Sequence, residues 1–175
     1  MKKEKLNIEQ IFLLGLESHK KNDLKSAEKF YNDVLEINPN HFNSIFYLAS
    51  LSAQTKNYIK AKNLFEKIIQ IKPNYDVAYA NLGAVLKELG KFNQSIESHK
   101  KAIECEPENF AHYYYLSELK KEILNLDLKN KVTKYLSSDN PTNKDSAFGN
   151  YLLAKYERKA KNYEKELKFL IEGHK

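Results

Sequence analysis

An all-α fold of stacked antiparallel helix pairs is predicted by three observations on this 175-residue chain. Its four prolines, Pro39, Pro73, Pro107 and Pro141, stand 34 residues apart in succession. Small residues recur at fixed places in that period: Gly15, Ala49, Gly83 and Ser117 form one column, Ala27, Ala61 and Ser95 another. Large apolar residues flank both columns at i, i+3 and i+4, the spacing of amphipathic helices and not of strands. Five glycines and four prolines also supply too few turn formers for a strand-rich fold with many hairpins.

The elements follow in order. Residues 1–7 form an N-terminal extension. The first unit, 8–41, pairs a helix carrying Ile11 and Leu14 around Gly15 with one carrying Tyr31, Val34 and Leu35 around Ala27. The second, 42–75, repeats this with Ile45, Leu48 and Ala49, then Phe65, Ile68 and Ile69 around Ala61. The third, 76–109, has Tyr79, Leu82 and Gly83, then His99, Ala102 and Ile103 around Ser95. A fourth unit, 110–146, is degenerate and holds a three-residue insertion, and a fifth, 147–175, is truncated, with Leu153 and Ala154 in its first-helix columns. Each proline ends a unit, because it lacks an N–H and keeps the residue before it out of helical geometry. The breaks at 21–23, 55–57, 89–91 and 160–162 offer Gly or Asn for left-handed helix ends. Small columns allow close helix approach. One pair cannot bury its own apolar face, so neighbours must stack, which predicts a right-handed superhelical solenoid of about ten helices.

Composition removes other classes. The longest apolar stretch, Ile11 to Leu16, falls far short of the ~18 residues of a membrane span. Met1-Lys2-Lys3 is not followed by a secretory leader pattern, so a cytoplasmic location is expected. A single cysteine, Cys105, makes no internal disulfide. The net charge of +6 raises the question of nucleic acid, but Arg158 is the only arginine among 29 basic residues, and the excess is spread evenly along the chain. Nucleic acid is therefore disfavoured as a partner.

The 34-residue period, the Leu82-Gly83 pair, the small residues Ala27 and Ala61, the rings Tyr31 and Phe65 and the terminal prolines together resemble the tetratricopeptide repeat family. The stretch from Ala78 to Pro107 lies nearest its consensus, with Ser95 and His99 as departures. The resemblance is strong over 8–109 and weak over 110–175. Within the weak part, Phe110 to Lys121, Tyr151 to Lys155 and Glu172-Gly173-His174 are similar to the end of the repeat region in bacterial fusions of such repeats to a sulfotransferase domain. That narrower resemblance implies an alternative function, in which the repeats position a substrate for a catalytic domain outside this chain.

Chemistry of its own is not expected of the chain. The glycines never fall in a phosphate-cradling pattern, no serine lies in a nucleophile elbow, and the five histidines show no ligand spacing, so neither cofactor nor metal is predicted. His99 shares a column with Tyr31 and Phe65 and reads as a packing residue. Cys105 shares a column with Ile37 and Ile71 and reads as a small core hydrophobe.

The tetratricopeptide resemblance implies instead a non-catalytic interaction scaffold whose first helices line a concave groove. Carried onto this sequence, the groove positions are Phe12, Leu16, Asn43, Phe46, Tyr47, Ser50, Asn81, Lys87, Tyr114, Tyr115, Glu118, Tyr151, Lys155 and Arg158, with Lys121 and Phe148 beside them. Phe12 and Leu16 stand where the family's carboxylate clamp needs Lys and Asn, and an asparagine ladder survives only at Asn81. The groove is aromatic, which suits an extended peptide or a helix as ligand. Two residues depart from the pattern: Lys129 and Glu166 occupy the column of Ala27, Ala61 and Ser95. Both pairs are expected to splay so that these charges reach water, with looser packing after residue 123. Leu167, Leu170 and Ile171 are expected to leave an apolar edge for a downstream domain, a partner or a second copy.

Overall fold

The computed structural model describes residues 6–138 and 142–174. Pro141, the fourth unit mark, and the first five residues of the N-terminal extension lie outside the described residues. Among those described, ten α-helices and one 3-10 turn follow one another with no strand. They are α1 (Ile8–Lys20), α2 (Leu24–Ile37), α3 (Phe42–Gln54), α4 (Tyr58–Ile71), α5 (Asp76–Glu88), α6 (Phe92–Cys105), α7 (Phe110–Leu119), α8 (Leu126–Leu136), α9 (Asn143–Lys159) and α10 (Tyr163–Gly173), with the 3-10 turn Lys121–Ile123 after α7. The chain divides into two compact units, Met1–Lys91 and Phe92–Lys175.

Side-chain caps start most helices. Asn7 and Gln10 close a capping box on α1, and Asp23, Asn57, Asn125, Thr142 and Asn162 each accept from a backbone N–H one turn into their helix. Each such bond satisfies a donor the helix leaves open, for about 1 kcal/mol. The ends are equally regular. Asn22, Lys56, Gly90 and Lys161 all have φ between 59° and 72°. The residue after each donates back to a carbonyl five residues earlier: Asp23 to Ser18, Asn57 to Ser52, Lys91 to Leu86 and Asn162 to Glu157, at 2.8–2.9 Å. This is one reversal, the Schellman motif, used four times. The left-handed seat is held by Lys56 and Lys161 in two of them, and the asparagines that follow, Asn57 and Asn162, are N-caps instead.

The connection after α7 is built differently. Leu124 falls in the column of Asn22, Lys56 and Gly90 but does not share their left-handed geometry. Helix α7 stops at Leu119, the chain makes the 3-10 turn, and Leu124 takes φ −76° with its side chain buried.

In the first unit, α1 packs on α2, α2 on α3, α3 on α4 and α4 on α5. Both small-residue columns are buried, and a Cβ on Gly15 would meet the Tyr31 ring at 2.7 Å. In the second unit α6 packs on α7, while α8 and α10 both pack against α9, and α7 also reaches α9 directly. Phe110, Leu124, Leu128, Val132, Leu152 and Leu153 form its core.

The structure departs from three expectations. Helix α8 packs on α9 and its Tyr135 ring meets Phe110 of α7 at 5.0 Å, while Lys129 is half-buried and paired: its Nζ lies 2.7 Å from Glu157 Oε1 on α9 and 4.3 Å from the centre of the Tyr156 ring. Helices α9 and α10 also pack closely, and Glu166 is only 7% exposed. It does not reach water; Arg158 Nε and Nη2 approach its Oε1 at 2.6 and 2.5 Å. Finally, Ile37 and Ile71 are exposed and Cys105 half-buried, so that column faces outward and is no core slot.

Candidate functional site

The expected groove residues of the first unit are largely absorbed by packing. Phe12 is 5% exposed and lies against the rings of Tyr31, His41 and Tyr47 at 6.0, 5.3 and 5.8 Å. Tyr31 and Tyr47 stack at 5.9 Å, and Phe46 bridges from Tyr47 to Phe65 and Tyr75. Each ring fills the seam between one helix pair and the next, because a first-helix side chain at these positions points toward its neighbour as well as outward. Leu16 packs against the same cluster. Ser50 returns its hydroxyl to the Phe46 carbonyl at 3.0 Å. Burial pushes the Tyr31 hydroxyl up to about 12. Asn43 and Lys87 are exposed and Asn81 half-buried, and none of the three contributes a ring to the seam.

In the second unit the rings meet. Tyr114 and Tyr115, adjacent on α7, stand edge to face at 5.6 Å. Phe148 lies 5.6 Å from Tyr114 and 5.8 Å from Tyr115, and Tyr151 lies 6.0 Å from Tyr114. His99 stacks under Tyr115 at 6.1 Å, and buried as it is, it serves packing as its column implied. Tyr151 closes the other side, its hydroxyl 3.2 Å from His174 Nδ1. The cluster remains open to solvent: Tyr115 is 45% exposed.

Polar groups border these rings. Lys155 sits with its Nζ 4.4 Å from the centre of the Tyr114 ring, donates to Ser117 Oγ at 3.2 Å and pairs with Glu118. Arg158 turns to Glu166, whose hydrogen bond holds the guanidinium above its ordinary range. Beyond them lies a hollow of about 400 Å³ bounded by Glu118, Lys121, Leu124, Lys155, Arg158 and Lys159. The sequence pattern missed Lys159, which lies one residue beyond the last expected position, and Leu124, which belongs to a connection in the regular repeat. Among the described residues no group of His, Cys, Asp and Glu is arranged to hold a metal, and no helix is long and apolar enough to cross a membrane.

Antiparallel helix pairs with a recurrent reversal, small residues at the crossings of the first unit and an open face of rings and charges define a helical-repeat protein. The tetratricopeptide repeat family matches residues 11–41 and 44–75, and a second description of the same repeat matches 64–97. Residues 11–97 thus carry tetratricopeptide repeats, and the fold of the chain is similar to that of tetratricopeptide arrays. No curated protein matches its sequence. Solved structures with a similar fold include MamA 41-end from Desulfovibrio magneticus RS-1, at 15% identity and TM-score 0.61 over 96% of this chain and 74% of that one. The Arabidopsis OM64 TPR domain matches at 19% identity and TM-score 0.61, over 65% of this chain and 94% of that one. Thermobaculum terrenum O-GlcNAc transferase, as a K341M mutant, matches at 20% identity and TM-score 0.60 over 87% of this chain and 26% of that one. Likenesses at these identities speak to the fold.

Proposed function

We propose that this chain is a non-catalytic interaction scaffold that binds an extended peptide or a helix on the aromatic face of its second unit. The supporting observation is the open cluster of Tyr114, Tyr115, Phe148 and Tyr151 on first helices, with Tyr115 nearly half exposed. Rings braced by other rings lose little conformational freedom on binding, so contact area converts efficiently into affinity. Tyrosine hydroxyls add polar contacts to a peptide backbone. The reading narrows the expected groove, since Phe12, Phe46 and Tyr47 are engaged by their own neighbours.

The test is Tyr115→Ala against Phe12→Ala in affinity purification of partners from the native cell, followed by binding of the recovered partner to purified protein. Loss of binding by Tyr115→Ala with unchanged helical content and melting supports the reading. Full binding by that variant overturns it.

A further inference from the structure

Resting on the aromatic face proposed above, we propose that its ligand is an uncharged, proline-rich polypeptide segment in the polyproline II conformation. The surface offered is one of rings: Tyr114, Tyr115, Phe148 and Tyr151 meet one another at 5.6–6.3 Å. The leucines beside them on the same helices, Leu116, Leu152 and Leu153, are turned inward at 2–3% exposure. An amphipathic helix docks by pressing its apolar anchors into a hydrophobic groove, and the side chains that would line one here are spent on the core. Lys155 and Arg158, which border the rings, are answered by Glu118 and Glu166, so the face suits a segment without charge.

Hydrogen bonding narrows the ligand further. An ordinary extended peptide brings an N–H at every residue, and an N–H laid over a ring face loses its water without gaining an equal acceptor. Proline has no N–H to strand, and its carbonyl accepts from a tyrosine hydroxyl such as those of Tyr114 and Tyr115. The pyrrolidine ring is compact and apolar and packs flat against an aromatic face. A polyproline II helix has no internal hydrogen bonds and holds its shape before binding, so neither partner gives up much conformational freedom: the segment is stiff, and the rings of the face brace one another.

The test is fluorescence polarisation of labelled decaproline with the whole chain, beside a glycine–serine decamer and an uncharged leucine–glutamine amphipathic helix. Saturable binding of decaproline alone is expected, insensitive to added salt. Tyr115→Ala should weaken it about tenfold, as loss of one exposed anchor ring implies. Tyr115→Phe keeps the ring and should retain most of the affinity, and Ile59→Ala, an exposed apolar residue on α4, should leave it unchanged. Equal binding of either comparison peptide, or decaproline binding that Tyr115→Ala leaves at full strength, overturns the proposal. The peptide comparison uses the unaltered chain and so decides the question even where a variant folds poorly. A cellular partner that needs Tyr115 but is not displaced by decaproline overturns this inference and leaves the aromatic face standing, whereas a partner indifferent to Tyr115→Ala overturns both.

Discussion

The two units solve the same packing problem with different chemistry. In the first, small residues at every helix crossing let backbones approach, and the rings of Phe12, Tyr31, Phe46 and Tyr47 fill the seams between successive pairs. In the second, charges stand where Ala27 and Ala61 stood, Lys129 and Glu166, and each is answered by a side chain on α9, Glu157 and Arg158. Phe12 is buried in the first unit and Tyr115 exposed in the second, while Phe46, Tyr47, Tyr114, Phe148 and Tyr151 are all half-buried. The difference shows that a repeat position fixes geometry without fixing burial: Phe12 and Tyr115 both stand among aromatic neighbours, yet only Phe12 is buried.

The largest effect that tests this contrast is Phe12→Ala, which should destabilise by about 3–5 kcal/mol through lost transfer energy and a cavity, whereas Tyr115→Ala should cost under about 1 kcal/mol. Urea unfolding followed by circular dichroism measures both, and equal costs would erase the distinction between sealed and open rings. Next is Lys129→Ala. It installs the residue normal for that column yet should destabilise by about 3 kcal/mol, because buried Glu157 loses its cation; a neutral or stabilising result would mean that the pair is dispensable.

Alkaline pH probes the first unit. The Tyr31 hydroxyl, raised by burial to about 12 from an ordinary 10.0, stays protonated in the fold after the unfolded chain ionises. Its stabilising contribution is complete below pH 10 and is lost as pH climbs to about 12. Tyr31→Phe should flatten that part of the profile, and thermal melts between pH 9 and 12 test it.

The smallest effect is shared by both units. Lys56→Gly and Lys161→Gly should each stabilise by roughly 0.5–1 kcal/mol, since both lysines occupy left-handed geometry that glycine adopts freely. A loss in either would show that its side chain makes contacts that outweigh the backbone cost.

Much of the fold was legible because period and side-chain size are properties of the sequence itself. Proline spacing sets the register, and a run of Gly, Ala and Ser in one column admits only close crossing. The reversals were half legible: their position is visible, but the left-handed seat belongs to the backbone spacing and forces Lys56 and Lys161 into it. The ion pairs were not legible. Lys129 and Glu166 announce themselves as misplaced, yet their partners lie 28 and 8 residues away on α9 and depend on how that helix is rotated. For the candidate site, the sequence identifies the rings by helix face, whereas exposure depends on the neighbouring helix. Only assembled packing separates Tyr115 from Phe12.

Leu124 carries a consequence for how such repeats diverge. At that seat the regular unit has a solvent-facing residue whose identity is nearly irrelevant, so the connection tolerates drift. A leucine there puts the connector in the core: the chain makes a 3-10 turn, α7 ends at Leu119, and Leu124 packs with Leu128, Val132, Leu152 and Leu153. The period is thus lost locally while the interior stays filled. Loss of recognisable repeats toward one end of an array can therefore mark a change of connector, with the packing intact.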